Sequence, residues 1–383
     1  MAGTSKEERS KQIFPLILSA EDLTKYYSSR SEEHWFRQNT VHAVDGVTLN
    51  LYEGETLGLV GESGCGKSTL GRVLTGLEKP TSGTVYYKQQ DLWDLGPKAK
   101  RQARLDLQMI FQDPYAAFNP KKRIYDILAD PLLFHGLFTP QTIDAEVTRL
   151  LELAGLPANA ARRYPHEFSG GQLQRIGIAA ALSLNPRLIV CDEPVSALDV
   201  SIQAQILNLL RRLQSEMGLA YLFIAHGLAA VKYISDRIAV MYLGRIVEIA
   251  PAEELFRRPL HPYTQALISA APIPRPDLQS EGTGLLSGEV PSNIHPPSGC
   301  AFHPRCPMAE ESCRQERPEL ENNGDIIEDG GCRAHRQSHC VACPVMLRHY
   351  REAKEKGQEL IPAFSGALRT ADFDFRQGAS HES

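Results

Sequence analysis

The sequence predicts an α/β fold in which a mainly parallel sheet is covered by helices, interrupted by a helical subdomain and followed by a small cysteine-rich C-terminal module. Three observations carry this prediction. Runs at Glu55–Gly61 (ETLGLVG), Leu188–Asp192 (LIVCD) and Tyr221–Ala225 (YLFIA) are continuously apolar, as strands buried on both faces are. Between the last two lies an amphipathic helix, with Ile202, Ile206, Leu209, Leu210, Leu213 and Met217 on one face and Gly218 as its stop. Directly after the first run, Gly61-Glu62-Ser63-Gly64-Cys65-Gly66-Lys67-Ser68 matches the G-x-x-x-x-G-K-[ST] loop that joins a strand to a helix.

Taken in order, the elements agree with that frame. The apolar run Ile13–Ala20 is broken by Pro15 and leads straight into a strand-like segment, so it reads as a first strand and not as the core of a signal peptide. From about Gln112 to Asn185 the pattern is mostly helical; Ile143, Val147, Leu150, Leu151 and Ala154 recur at helical spacing before Gly155. Met241–Val247 places a glycine turn between two β-prone runs and predicts a hairpin. From Pro272 the composition turns to proline, glycine and polar residues, which marks a boundary. The expected division is a nucleotide-binding domain over 1–275 with its helical subdomain at about 112–185, a linker over 276–299, a cysteine-rich module over 300–345 and a tail over 346–383.

Composition narrows the class. The chain has 383 residues, 42% hydrophobic and 23% charged, and 41 basic against 46 acidic side chains give a net charge of −5. That balance offers no electrostatic reason for a nucleic-acid partner. No apolar stretch is long enough to span a bilayer.

The loop at 61–68 carries the first chemistry. Its glycines let backbone N–H groups turn inward as an anion nest, and the helix behind them adds a positive partial charge. Lys67 would reach the β- and γ-phosphates of a nucleoside triphosphate, Ser68 would hold Mg²⁺, and Thr69 continues the phosphate-binding set. LIVCDEP ends a strand with two carboxylates at the same sheet edge: Asp192 for Mg²⁺ and Glu193 to polarise the attacking water. Phe168-Ser169-Gly170-Gly171-Gln172 opens an alanine-rich helix and supplies a second anion site.

The order of phosphate loop, Gln112, SGGQ, LIVCDEP, Ser196-Ala197-Leu198-Asp199 and a strand-terminal His226 resembles an ATP-binding cassette (ABC) ATPase over roughly residues 16 to 270. The resemblance implies a P-loop NTPase core and a head-to-tail pair of cassettes, in which Ser169, Gly170, Gly171 and Gln172 face ATP held by a partner's phosphate loop. It further implies that Gln112 senses Mg²⁺ and the γ-phosphate, that Ser196–Asp199 couples the two sites, and that His226 contacts the γ-phosphate. Tyr27, in LTKYY, matches the adenine-stacking aromatic, with Tyr26 adjacent. Two positions depart from the family pattern: Gly227 stands where aspartate is usual, and Ala180 where arginine is common. Neither is a phosphate or Mg²⁺ contact.

Six of the eight cysteines follow residue 299, four of them as Cys300-x5-Cys306-x6-Cys313-x18-Cys332. In a cytoplasmic chain these should stay reduced, which favours metal or cluster ligation over disulfides; zinc sites more typically show C-x2-C pairs. LSGEVPS at 286–292, PPSGCAFHPRCP at 296–307, HPYTQAL at 261–267 and Phe118-Asn119-Pro120 resemble the oligopeptide and dipeptide importer ATPases. That resemblance implies a [4Fe-4S] cluster on Cys300, Cys306, Cys313 and, on spacing, Cys332, with Cys340 and Cys343 as alternatives for the fourth ligand. It also implies a second, different ABC ATPase subunit, two transmembrane permease subunits, an extracytoplasmic substrate-binding protein and a peripheral place on the cytoplasmic face of the bacterial inner membrane. Nickel or sugar as cargo, and a soluble cassette acting on nucleic acid, are the alternatives.

Overall fold

The computed structural model describes residues 15–30, 38–270, 289–324, 337–358 and 360. The three continuously apolar runs are buried strands: β3 (Thr56–Val60), β7 (Leu188–Asp192) and β8 (Ala220–Ile224). With β6 (Leu107–Ile110) and β9 (Arg237–Tyr242) they pair in parallel, in the order β9-β3-β8-β7-β6. Helix α1 (Lys67–Leu74) crosses this sheet so closely that a Cβ on Gly71 would lie 2.9 Å from Val190 Cγ1. Beyond β9 the sheet turns antiparallel through the predicted hairpin to β10 (Arg245–Pro251).

A second, four-stranded antiparallel sheet was not legible in the sequence beyond the start of its first strand. It orders β1 (Leu16–Arg30) and β2 (Gln38–Tyr52) with β4 (Ser82–Tyr87) and β5 (Gln90–Asp91) as β2-β1-β4-β5. Register shifts interrupt the β1–β2 pairing, one of them beside Asp22 with its positive φ of 46°, and each shift breaks the period-2 alternation that would announce a strand. Ile17, Leu18, Leu23, Val44 and Val85 of this sheet pack with Leu70, Val73, Leu57 and Leu222 into one core layer. Helix α1 belongs to this layer, and the opposite face of the main sheet carries most of the other helices.

After α1 come α2 (Pro97–Asp106), whose Ala103 packs in the antiparallel sheet's layer, and then α3 (Pro114–Ala117), α4 (Ile124–Phe134), α5 (Ile143–Leu153), α6 (Gly170–Leu182), α7 (Val200–Met217) and α8 (Leu228–Ile234). The mostly helical reading of 112–185 matches α3 to α6. Ile143, Val147, Leu150 and Leu151 form the buried face of α5, as their spacing predicts.

The C-terminal region is not the separate cysteine-rich module that the sequence suggested. β12 (Cys340–Val341) adds to β10, and β11 (Glu321–Asn322) adds to β12, so this region completes the edge of the main sheet. Phe302 is buried against Tyr242 and Tyr263, with ring centroids 5.3 and 5.5 Å away. The polar linker composition hid this: the contacts are made by a few residues far apart in sequence, with no periodicity of their own. Most of the expected linker and the far tail lie outside the described residues. After α9 (Ala252–Arg257) and α10 (Pro262–Ser269), α11 (Glu311–Gln315) and α12 (Pro344–Glu355) complete the order.

A buried ionic group fastens the added strands. Glu248 accepts hydrogen bonds from the backbone N–H groups of Leu260 (2.7 Å) and His261 (2.9 Å). Its carboxylate also lies 2.7 Å from Nε2 of His339, whose side chain is 3% exposed. Burial works against the charged imidazolium, but Glu248 and Glu254 outweigh it and raise the His339 pKa from 6.5 to about 9. A group raised on folding contributes stability that is complete below its unfolded pKa and fades as pH rises through the folded one. Thermal unfolding of wild type and His339→Gln should therefore differ most below pH 6.5 and converge by several degrees above about pH 9. A gap that widens with pH would contradict the assignment.

Among the described residues no helix is long and apolar enough to cross a membrane.

Candidate nucleotide site

The phosphate loop leaves the end of β3 and closes on the N-terminus of α1. Gly66 caps that helix with φ of 106°, and a Cβ there would sit 1.9 Å from the Ala43 carbonyl oxygen, so neither the conformation nor the space admits a side chain. Gly61 is equally confined, because a Cβ would lie 2.1 Å from the Met241 oxygen. Lys67 is 5% exposed. Its ammonium donates to the carbonyls of Gly61 (2.8 Å) and Glu62 (3.0 Å), inside the loop that it serves.

Parallel pairing carries the two acidic residues to the same edge. Ser68 Oγ donates to Asp192 Oδ1 at 2.8 Å across 124 residues of sequence. Burial pushes the Asp192 carboxyl up, and the Ser68 hydroxyl draws it partly back. A divalent cation is the partner that would favour the ionised form of such a group. Next to it, Glu193 holds φ of 47°, a left-handed conformation rare outside glycine. Its N–H donates to the Ile224 carbonyl at 3.0 Å, which pins the turn to β8. Gln112 Nε2 donates to Glu193 Oε2 at 2.8 Å, so the residues read separately as sensor and base are in contact. Ser196 Oγ donates to the Glu193 carbonyl at 3.1 Å, tying the Ser196–Asp199 loop to the same turn. His226 is exposed, just past β8, where Ile224 stands opposite Asp192.

Tyr26 and Tyr27 separate clearly. Tyr26 packs on the His42 ring at 4.2 Å and donates to Asp45 at 2.7 Å. Tyr27 donates to Glu78, lies within hydrogen-bonding reach of Thr69, and carries the Lys25 ammonium 5.0 Å from its ring centroid.

Ser169 caps α6 through a reciprocal pair: its N–H donates to Gln172 Oε1 (3.1 Å), and the Gln172 N–H donates to its Oγ (3.4 Å). A Cβ on Gly171 would come within 2.6 Å of Ile202 Cγ2, and one on Gly170 within 3.5 Å of Leu198 Cδ2. Gly171 therefore lets α6 meet the start of α7, while the space at Gly170 would admit a Cβ in ordinary contact. Within the chain, the nearest side chains to Gly170 and Gly171 are those of Leu198 and Ile202.

One cysteine departs from expectation. Cys340 is disulfide-bonded, where the sequence reading kept these thiols reduced. Cys332, taken as the fourth ligand, lies outside the described residues. Among the described residues no group of three or more His, Cys, Asp or Glu is gathered tightly enough for a metal ion. Cys300, Cys306, Cys313 and Cys343 nonetheless act on one another: burial raises Cys306 to about 11 and Cys343 to about 12, and the neighbouring thiols add to both shifts. Cys343, which follows β12, thus shares its charge environment with Cys300, Cys306 and Cys313.

Sequence reasoning missed three further residues at the loop. Arg305 grips Glu62, Asn293 donates to the Gly64 carbonyl, and the Tyr263 hydroxyl accepts from the Glu62 N–H. HPYTQAL and HPRC were visible as motifs, but nothing local indicated what they touch.

Comparison with known proteins agrees with this geometry. The ABC transporter family profile matches residues 44–196, and that of the oligopeptide/dipeptide transporter C-terminal region matches residues 247–313. The oligopeptide transport ATP-binding protein OppF of Escherichia coli is 54% identical over 312 residues, covering 80% of this chain and 93% of that protein. The putative oligopeptide transport ATP-binding protein YkfD of Bacillus subtilis is 54% identical over 322 residues, covering 84% and 93%. Among solved structures, the dimeric ATP-binding cassette MJ0796 bound to ADP and Pi aligns with a TM-score of 0.55 and 29% identity, covering 62% of this chain and 99% of that one. With the phosphate loop, the paired carboxylates and both matching regions in place, the chain belongs to the ABC transporter family, among its oligopeptide and dipeptide ATP-binding subunits.

Proposed function

We propose that this chain is the ATP-binding and hydrolysing subunit of a multisubunit importer, working at the cytoplasmic face of the membrane to drive di- and oligopeptides through a transmembrane permease. The observation that carries the reading is the joining of Ser68 to Asp192 and of Gln112 to Glu193 at one sheet edge beside Lys67, in a chain whose later region matches peptide transporters. Lys67 would exchange its loop carbonyls for β- and γ-phosphate oxygens. Ser68, Asp192 and Gln112 would hold Mg²⁺, which when bound neutralises charge on the phosphates. Glu193 would take the proton of the attacking water, His226 would hold the γ-phosphate, and Tyr27 would stack on adenine.

The Ser169–Gln172 helix start completes a site only across a pair of cassettes, since within the chain it packs against Leu198 and Ile202. The similar cassette MJ0796 has a dimeric structure. Exposed Phe111 and Tyr115, within three residues of Gln112 in sequence, give a permease apolar side chains to engage. Cys300, Cys306, Cys313 and Cys343, once deprotonated, would offer soft sulfur donors, and a [4Fe-4S] cluster bound to them would tie the C-terminal region together.

The test is reconstitution. Co-purified with its permease and partner cassette in proteoliposomes, the chain should support ATP-dependent peptide uptake, with ATPase activity stimulated by peptide-loaded binding protein. ATPase activity stimulated by DNA or RNA instead would favour the soluble alternative.

A further inference from the structure

We infer that Arg305, from the C-terminal region, is a positioning residue for nucleotide binding: it holds the phosphate loop in its binding shape and cancels a negative charge on that loop. The inference rests on the reading of this chain as an ATP-binding subunit. Glu62 is the second residue of the loop and is held at three points. Its N–H donates to the Tyr263 hydroxyl at 2.8 Å, its carbonyl accepts from Lys67 Nζ at 3.0 Å, and its carboxylate takes both arms of the Arg305 guanidinium, at 2.9 and 3.1 Å. Arg305 comes from 243 residues away, and its side chain is 5% exposed against 21% for that of Glu62. One arm also reaches the Tyr242 hydroxyl at 3.4 Å. A few residues earlier in the same region, Asn293 Nδ2 donates to the Gly64 carbonyl at 2.8 Å, while the Asn293 carbonyl accepts from the His42 N–H at 2.9 Å. The C-terminal region thus holds two residues of the loop from outside.

Two physical consequences follow. A loop that binds phosphate through backbone N–H groups binds more tightly when those groups are already arranged, because less ordering remains to be done on binding. A carboxylate next to the phosphate nest repels the triphosphate unless it is paired, and the planar, two-armed guanidinium both pairs it and fixes its direction. Arg305 lies beside Cys306, so the thiol-bearing segment and the phosphate loop are mechanically continuous through this one ion pair.

The experiment compares KM and kcat for ATP, with direct titration of a fluorescent ATP analogue, in wild type, Arg305→Ala, Arg305→Lys and the double variant Arg305→Ala/Glu62→Gln, each in the full complex. Arg305→Ala should raise KM and the dissociation constant roughly tenfold with kcat within about twofold. Arg305→Lys should lie between it and wild type, since lysine keeps the charge but loses the two-armed geometry. Removing the repelling carboxylate in the double variant should recover most of the lost affinity. Unchanged KM in Arg305→Ala, or a double variant as weak as the single one, would overturn the inference. If Arg305→Ala alone fails to fold, the lysine and double variants still decide it. Wild type unable to bind the nucleotide would instead sink the underlying reading of the chain.

Discussion

Changing Glu193 to glutamine leaves ATP binding intact and lowers turnover by roughly two to four orders of magnitude, the usual worth of a positioned general base. The geometry makes this substitution clean. Glutamine has the shape of glutamate, its carbonyl oxygen can still accept from Gln112 Nε2, and the backbone bond to Ile224 does not depend on the side chain. The φ of 47° is strained for either residue, so the cost in stability is the same in both. Only the capacity to take a proton from water is lost. Phosphate release at saturating ATP, read beside nucleotide binding, checks this; normal steady-state hydrolysis by the variant would remove Glu193 from the role.

Lys67→Ala acts one step earlier and abolishes tight binding. The lysine is buried and its ammonium is already committed to the loop, bonded to the Gly61 and Glu62 carbonyls. When triphosphate enters, the ammonium can move to phosphate oxygens without leaving the site, so little ordering opposes the exchange. A hydrogen bond to a charged group contributes about 1.5–3 kcal/mol, so the loss of even one should lower affinity roughly tenfold to a hundredfold. Titration with a fluorescent nucleotide measures this, and an unchanged thermal melt without nucleotide shows that the fold survives. Equal affinity in the variant would detach Lys67 from phosphate recognition.

What the sequence disclosed and what it withheld divide along a physical line. Lys67, Ser68, Asp192 and Glu193 were legible because each lies within a few residues of a buried apolar strand, and parallel strands deliver their ends to a common edge. Helix α7 was legible because its periodicity is long and uninterrupted. The antiparallel sheet was not, since the bulges between β1 and β2 erase alternation. The hold of Arg305 on Glu62, of Asn293 on Gly64 and of His339 on Glu248 could not be read at all: each joins residues far apart in sequence with no local pattern between them. Cys343 was set aside for Cys332 on spacing alone, yet it is Cys343 whose charge environment includes Cys306, Cys300 and Cys313.

On the proposed function, ATP is held at a seam between two cassettes, with the Ser169–Gln172 helix start of one facing the Lys67 loop of the other. The most direct measurement uses an ATP analogue carrying a photoreactive group on its γ-phosphate, bound to the complex of this chain with its partner cassette, followed by mapping of the labelled peptides. The predicted result is labelling of residues 169–172 in this chain even when it carries Lys67→Ala, because the nucleotide that they touch is held by the partner. Labelling of that segment that disappears with Lys67→Ala, and persists when the partner cassette is removed from the wild-type chain, would contradict it.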